Sequence, residues 1–125
     1  MSITSTSSGF VKLGAKVCDR NIAFLIDSSA SNNFISSKLL DVLGINCHKG
    51  PRVRVRLADG SIVNTDRFIS VLVDFGGNVG SLLRFTVLDV DCPSILGMPF
   101  LERMNPTIDW QSKRVTFPQN FVGKV

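Results

Sequence analysis

Short apolar segments separated by polar residues run through most of the chain, and their spacing predicts β-strands. The first two are residues 10–17 and 21–27, and the polar step at 18–21 between them predicts a hairpin turn. Residues 22–26 are apolar throughout, which is the pattern of a strand buried on both faces. Asp27 ends this run, so the strand delivers one carboxylate to a turn of small polar residues.

One segment, SSKLLDVLGI at residues 36–45, has the spacing of a helix instead. Leu39, Leu40 and Leu43 fall on one face. A serine at 36 or 37 can cap its start, and Gly44 can end it. A helix of about two turns needs tertiary packing to be stable.

The strongest alternation is RVRVRL at residues 52–57, where three arginines and three apolar residues point to opposite faces. Asp59-Gly60 follows it and predicts a hairpin turn, because glycine accepts a positive φ. Further hairpins are predicted around GGNVG (76–80) and around residues 111–113. The short apolar segment SILGMPFLERM (94–104) lies between them.

Together these elements predict an all-β fold, a small barrel or sandwich of six to eight strands with one or two short helices. A length of 125 residues with 44% hydrophobic residues suits one domain with its own core. We expect residues 10–118 to form it, with residues 1–9 as a flexible leader and residues 119–125 as a C-terminal tail. No apolar run approaches the roughly 20 residues that span a bilayer, so no membrane partner is expected.

The cysteines and the histidine argue against a metal site. Cys18, Cys47 and Cys92 are odd in number and widely spaced, which favours reduced thiols and an intracellular protein. There is no C-x-x-C pair, and His48 is the single histidine in the sequence. We therefore expect no metal and no cofactor.

The formal net charge of +4 leaves a basic nucleic-acid-binding domain open as a third hypothesis, with Arg52, Arg54 and Arg56 as its ridge. No aromatic residues alternate with these arginines, so platforms for base stacking are missing. We expect a solvated charged face there and no nucleic-acid partner.

Three segments, taken in order, resemble a known family. LIDSSASNNFIS (25–36) resembles the active-site segment of retroviral-type aspartic proteases, especially those of Ty3/gypsy-class LTR retrotransposons or host proteins derived from them. VRLADGSIV (55–63) resembles the flap hairpin of that family. PSILGMPFLERMNPTIDWQSKRVTF (93–117) resembles its closing segment. The resemblance implies the retropepsin fold, a small closed β-barrel with a flap.

The resemblance also implies a homodimeric aspartic endopeptidase that processes a polyprotein in the cytoplasm or in a retroelement particle. Asp27 of two subunits would meet on a two-fold axis, share one proton and activate a water. Asp27 is then the catalytic residue, and Ser28 and Ser29 support its loop. The implied substrate-binding residues are Leu25, Ala30, Ser31, Asn32, Ala58, Asp59, Gly60, Ser61 and Ile95. Apolar walls at this site predict bulky apolar side chains beside the cut.

Ser29 departs from the family pattern, which nearly always has glycine at this position. A Cβ there is expected to resist the backbone conformation that glycine allows. Either the loop tolerates the serine in a slower enzyme, or the carboxylates are displaced. The alternative function is therefore a catalytically weakened or inactive dimerisation or peptide-binding module. Asp109, before Trp110, lacks this sequence context and is predicted to be a structural residue in a turn with Trp110 packed nearby.

Overall fold

The computed structural model describes residues 11–57 and 59–118, so the predicted leader, the predicted tail and Ala58 lie outside the described residues. Nine strands and two short helices occupy this part of the chain. They are β1 (Val11–Val17), β2 (Arg20–Ile26), β3 (Phe34–Ser36), α1 (Ser37–Leu43), β4 (His48–Arg56), β5 (Ile62–Gly76), β6 (Val79–Leu88), β7 (Ser94–Leu96), α2 (Met98–Met104), β8 (Thr107–Asp109) and β9 (Arg114–Thr116).

Six of the strands close into a barrel, which confirms the predicted fold class. The sheet order is β1-β2-β7-β3-β6-β5-β4, and β1 also pairs with β5 at Lys16 and Asp74. That extra pairing closes the ring from β1 to β5 and leaves β4 as an outer strand. The pairs β2–β7 and β3–β6 are parallel, so β2 and β3 meet strands that come much later in the chain.

The barrel interior is filled by the apolar faces of the alternating strands. Phe24 of β2 and Phe85 of β6 stack with their ring centroids 5.8 Å apart, and both are fully buried. Phe100 and Met104 of α2 are also fully buried and close one end of the core. Burying each large apolar side chain contributes about 1.5–3 kcal/mol, so this core provides most of the stability of the fold.

The first helix follows its predicted capping. The Ser36 hydroxyl accepts a hydrogen bond from the Leu39 N–H at 3.2 Å, and Gly44 ends the helix in the left-handed conformation. Leu40 is buried, and Leu39 and Leu43 pack half-buried against the core, as the helical spacing predicts.

Four details differ from the sequence predictions. The first turn is Cys18-Asp19, both with positive φ, so β2 begins at Arg20. The strand β2 is not buried on both faces, because Ala23 is exposed on the barrel exterior. The strand count is nine, because three-residue strands such as β3 and β7 carry too little pattern to be recognised. Trp110 is half-exposed.

Two further observations concern the cysteines and the helices of the described residues. Cys18, Cys47 and Cys92 are all unpaired thiols. Among the residues that the structure describes, neither helix has the length and apolar character needed to cross a membrane.

Candidate active site

Asp27 lies directly after β2, on a loop that leads into β3. Its backbone N–H donates to the Leu96 carbonyl at 3.0 Å, and its carbonyl accepts from the Ala30 N–H at 3.1 Å. The first bond continues the parallel pairing of β2 with β7, and the second closes a turn over residues 27–30. The backbone of Asp27 is therefore fixed from both sides, while its side chain stays half-exposed.

Gly97, at the end of β7, packs directly against this loop. The next residue, Met98, donates its N–H to the Ala30 carbonyl at 2.9 Å. A Cβ on Gly97 would lie 2.3 Å from the Asn32 carbonyl oxygen and 2.6 Å from that of Ala30. Any side chain at this position would have to push the loop that carries Asp27 away, so the loop position depends on this glycine.

Asn33 joins the loop to both neighbouring strands, and sequence reasoning assigned it no role. Its side chain is buried; the Oδ1 atom accepts from the Gly97 N–H at 2.8 Å, and the Nδ2 atom donates to the Arg84 carbonyl at 3.1 Å. Its own carbonyl accepts from Thr86 N–H at 2.8 Å. Asn33 belongs to the segment that carries the family resemblance, but its local pattern, a polar residue next to a buried strand, does not distinguish a buried asparagine from a surface one.

Ser29 contacts the Asp27 carboxylate twice. Its backbone N–H donates to Oδ1 at 2.9 Å and its hydroxyl donates to the same oxygen at 2.5 Å. Ser29 is not among the described residues with positive φ, so its Cβ brings no left-handed strain. The expectation that the side chain resists the backbone conformation is therefore wrong for this loop. What the serine adds is a second donor on one carboxylate oxygen.

A cleft of about 960 Å³ opens above the loop. It is lined by most of the residues that the family resemblance implied: Leu25, Asp27, Ser29, Ala30, Ser31, Asn32, Asp59 and Ile95. Ser28, Gly60 and Ser61 do not line it, and Ala58 lies outside the described residues. Ser28 is exposed on the loop that follows β2, and Gly60 and Ser61 are exposed in the turn between β4 and β5.

The cleft also contains residues that sequence reasoning did not assign to it. Phe34, Val55 and Leu88 are buried together and form an apolar floor, against which Leu57 and Ile95 pack half-buried. The further lining residues are Arg54, Arg56, Asp91, Cys92 and Pro93. Strand alternation predicted the faces of β4 correctly, but it could not show that the arginine face also borders the cleft.

The hairpin between β4 and β5, which the resemblance predicted to be a flap, has a well-bonded turn. The Leu57 N–H donates to the Ser61 carbonyl at 2.8 Å, and the Gly60 N–H donates to the Leu57 carbonyl at 3.0 Å with a φ of 89° at the glycine. The Asp59 carboxylate accepts from the Ser61 hydroxyl at 2.6 Å and from its N–H at 2.9 Å. Both bonds favour the ionised form and lower the pKa of Asp59.

The contacts of two other groups, Cys92 and Asp109, shift their pKa values. Burial raises the pKa of the Cys92 thiol in the cleft, and the neighbouring charge of Asp91 adds to the effect. Asp109 accepts from the N–H groups of Ser112 and Gln111 in the turn between β8 and β9, and these bonds lower its pKa. This is the turn role that the sequence predicted for Asp109.

Within residues 11–57 and 59–118, no group of three or more histidine, cysteine or acidic side chains is arranged to hold a metal ion. The cleft presents to a ligand the Asp27 carboxylate with the two Ser29 donors on it, and the surrounding apolar walls.

Comparisons with known proteins agree with this geometry. A sequence model of the family described as the PEG10/RTL1 protease domain matches residues 23–124. No curated protein matches the chain significantly in sequence.

Several solved structures resemble the fold. The retroviral protease-like domain of Ddi1 from Leishmania major has a TM-score of 0.65 at 17% identity, covering 89% of this chain and 96% of that one. A retropepsin-like aspartic protease from Rickettsia conorii gives 0.61 at 26% identity, covering 83% and 80%. EIAV protease complexed with the inhibitor HBY-793 gives 0.57 at 16% identity, covering 81% and 93%. The first and last of these likenesses bear on the fold alone.

Proposed function

Since this chain belongs to the PEG10/RTL1 protease-domain family and has the retropepsin-like fold of a retroelement-derived protease, we propose that it is an aspartic endopeptidase that acts as a homodimer. The observation that carries the proposal is the position of Asp27, on a loop fixed by β7 at the base of a large cleft. The cleft has the volume of a ligand site and an apolar floor, which suits a peptide with bulky apolar side chains.

The second carboxylate comes from a second copy of the chain. Asp59 and Asp91 also line the cleft, but Asp59 is bonded within its own flap turn and Asp91 is exposed before Pro93. Neither follows a buried strand in a loop like that of Asp27. A two-fold axis beside Asp27 would bring two equivalent carboxylates together and place Ser28, exposed on this loop, close to its counterpart.

In the proposed reaction the two carboxylates share one proton, because two charges so close cannot both form easily. The ionised carboxylate takes a proton from a water, whose oxygen attacks the carbonyl carbon of the peptide. The protonated carboxylate gives its proton to the carbonyl oxygen. The first carboxylate then passes the water's proton to the amide nitrogen and the C–N bond breaks, while the other carboxylate takes back a proton from a hydroxyl of the intermediate, so that an acid and an amine are released. Since both Ser29 donors bind Oδ1, we propose Oδ2 as the oxygen that exchanges protons with the partner carboxylate and the water.

The flap would close over the peptide and exclude water during the reaction. Its turn at Asp59–Ser61 is held by the bonds described above, so it would move as a unit about the strands β4 and β5. We also propose that the protein works inside the cell, since its three thiols are unpaired. We propose a polyprotein as its substrate.

Cleavage of a diverse peptide pool from about pH 4 to pH 7, read by mass spectrometry, tests the proposal directly. Asp27→Asn is the control, because it keeps the shape of the side chain and removes the base. We expect cuts with apolar flanking residues, fastest at mildly acidic pH, and a loss of about 10²–10⁴-fold in the variant. Cutting at an undiminished rate by Asp27→Asn would exclude this site as the catalyst.

The Ser29 hydroxyl favours a second candidate, a peptide-binding module on the same fold. The hydroxyl lies 2.5 Å from Oδ1 of Asp27, in addition to the Ser29 N–H at 2.9 Å, so this oxygen is less accessible to a water or to a partner carboxylate. This candidate is supported by a folded dimer that binds the peptides without cutting them at any pH in the range. It is excluded by cuts that disappear in Asp27→Asn.

A further inference from the structure

We propose that Arg54 and Arg56 make the cleft select peptides that carry an acidic side chain away from the cut, an inference that rests on the peptide-cleft function proposed above. Both arginines lie on β4 and both line the cleft. Their neighbours Val55 and Leu57 belong to the apolar floor. The cleft therefore has an apolar centre and a basic rim along the flap strand.

The two guanidinium groups are available to a ligand. Both side chains are exposed, and neither forms a hydrogen bond or ion pair within the part of the chain that the structure describes. By contrast, Lys49 on the same strand lies 4.0 Å from the Asp66 carboxylate. A planar guanidinium with five donors is well suited to bind a carboxylate with two parallel hydrogen bonds.

The acidic residues of the cleft do not neutralise this rim. The Asp59 carboxylate accepts two hydrogen bonds from Ser61, and that of Asp27 accepts two from Ser29. Asp91 lies in the segment between β6 and β7, beside Cys92, and pairs with neither arginine. The basic charge is thus local to β4 and would act on the peptide positions that pass beneath that strand, while the centre stays apolar.

Binding by the Asp27→Asn protein tests this selectivity without depending on catalysis. The probes are octapeptides with Leu-Phe at the centre, alanine elsewhere, and either Glu or Gln at one outer position. We expect the Glu peptide to bind about five-fold more tightly at one or more outer positions, which is the upper range for an exposed ion pair. Arg54→Gln/Arg56→Gln in the same background should reduce the ratio to about one.

Arg52→Gln is the matched control, because Arg52 is an exposed arginine on the same strand that does not line the cleft. It should keep the full Glu preference. Charge reversal with Arg54→Glu/Arg56→Glu should transfer the preference to Lys peptides. Equal binding of Glu and Gln peptides at every position, failure of both to bind, or a preference that survives Arg54→Gln/Arg56→Gln overturns the proposal.

The wild-type enzyme separates this inference from the proposed function. If the wild-type protein cuts none of the peptides while the Asp27→Asn protein keeps the Glu preference, the catalytic proposal fails and the proposed role of Arg54 and Arg56 is supported. If it cuts Glu and Gln peptides with equal kcat/KM and binds them equally, the enzyme stands and the rim proposal fails.

Discussion

The Ser29 hydroxyl places a second donor on the carboxylate oxygen that the Ser29 backbone N–H already binds. The side chain brings no left-handed strain, so what it changes in the site is the hydrogen bonding of the Asp27 carboxylate. Two substitutions separate these causes. Ser29→Ala removes the hydroxyl and keeps Cβ, whereas Ser29→Gly removes both.

We expect Ser29→Ala and Ser29→Gly to raise kcat/KM to a similar extent, about ten-fold, since a hydrogen bond to a charged group is worth about 1.5–3 kcal/mol and part of it is lost to water. Steady-state kinetics on one peptide measures this. An increase in Ser29→Gly alone would instead show that backbone freedom limits the wild-type enzyme.

In the turn between β4 and β5, the Ser61 hydroxyl donates to the Asp59 carboxylate in the same way. The Ser61 hydroxyl and N–H lower the pKa of Asp59 below its ordinary value of 3.8. A carboxyl with a depressed pKa stabilises the folded turn above its unfolded pKa, and this contribution is lost as the pH falls through the lower folded pKa. The turn should therefore stay ordered through the mildly acidic range proposed for cleavage.

Ser61→Ala should move the pKa of Asp59 back up toward 3.8, because the largest of the lowering effects is removed. Carbon-13 NMR titration of the carboxyl groups measures it. Asp109 is an internal reference, since its pKa is lowered by bonds from Ser112 and should not change. An unmoved Asp59 titration would mean that the Ser61 hydroxyl does not set its charge.

At the scale of elements, the junction of β7 with the catalytic loop is the most tightly packed part of the site. Gly97 lies under two loop carbonyls with no room for a Cβ. Asn33 is buried beside it and bonds to Gly97, directly after β7, and to Arg84 of β6. The loop is held by backbone bonds and close packing within the chain.

Gly97→Ala should lower the free energy of unfolding by about 1–3 kcal/mol, the cost of overpacking a dense site, and should also reduce cleavage. Denaturant unfolding measures the first effect. Gly14→Ala is the matched control, because a Cβ there meets nothing within 4 Å on an exposed strand position. Equal stability of the two variants would contradict the packing described for Gly97.

The elements differ in how far their sequences predict them. The β4–β5 hairpin and α1 were predicted because strict alternation, Asp59-Gly60 and the Ser36 cap are local signals. The strands β3 and β7 are three residues long, and their pairing depends on distant partners. The roles of Asn33 and Arg56 depend on which surfaces the closed barrel brings together, and no local pattern encodes that.

At the scale of the whole molecule, the proposed site needs two chains, each giving one carboxylate. A dimer that exchanges subunits can be inhibited by an inactive copy of itself. Asp27→Asn, mixed with wild type, should form heterodimers with one functional carboxylate. Cleavage should then fall with the square of the wild-type fraction, because only wild-type pairs stay active.

Peptide cleavage across a series of mixtures at constant total protein measures this. Arg52→Gln serves as the control partner, since it lies outside the cleft and should leave activity nearly constant. A decrease that is linear in the wild-type fraction would show that each chain acts alone.

The bonds that position Asp27 come from residues much later in the chain, so they can form only after those residues have been synthesised. The Asn33–Gly97 bond joins residues 64 apart, and the loop is held mainly by β7, near the end of the barrel. Contacts over such separations form slowly, because the chain entropy of a long loop is lost before they are gained. During synthesis Asp27 leaves the ribosome well before the strand that holds it. Synthesis must therefore pass β7 and Gly97 before the loop that carries Asp27 can take up the position described here.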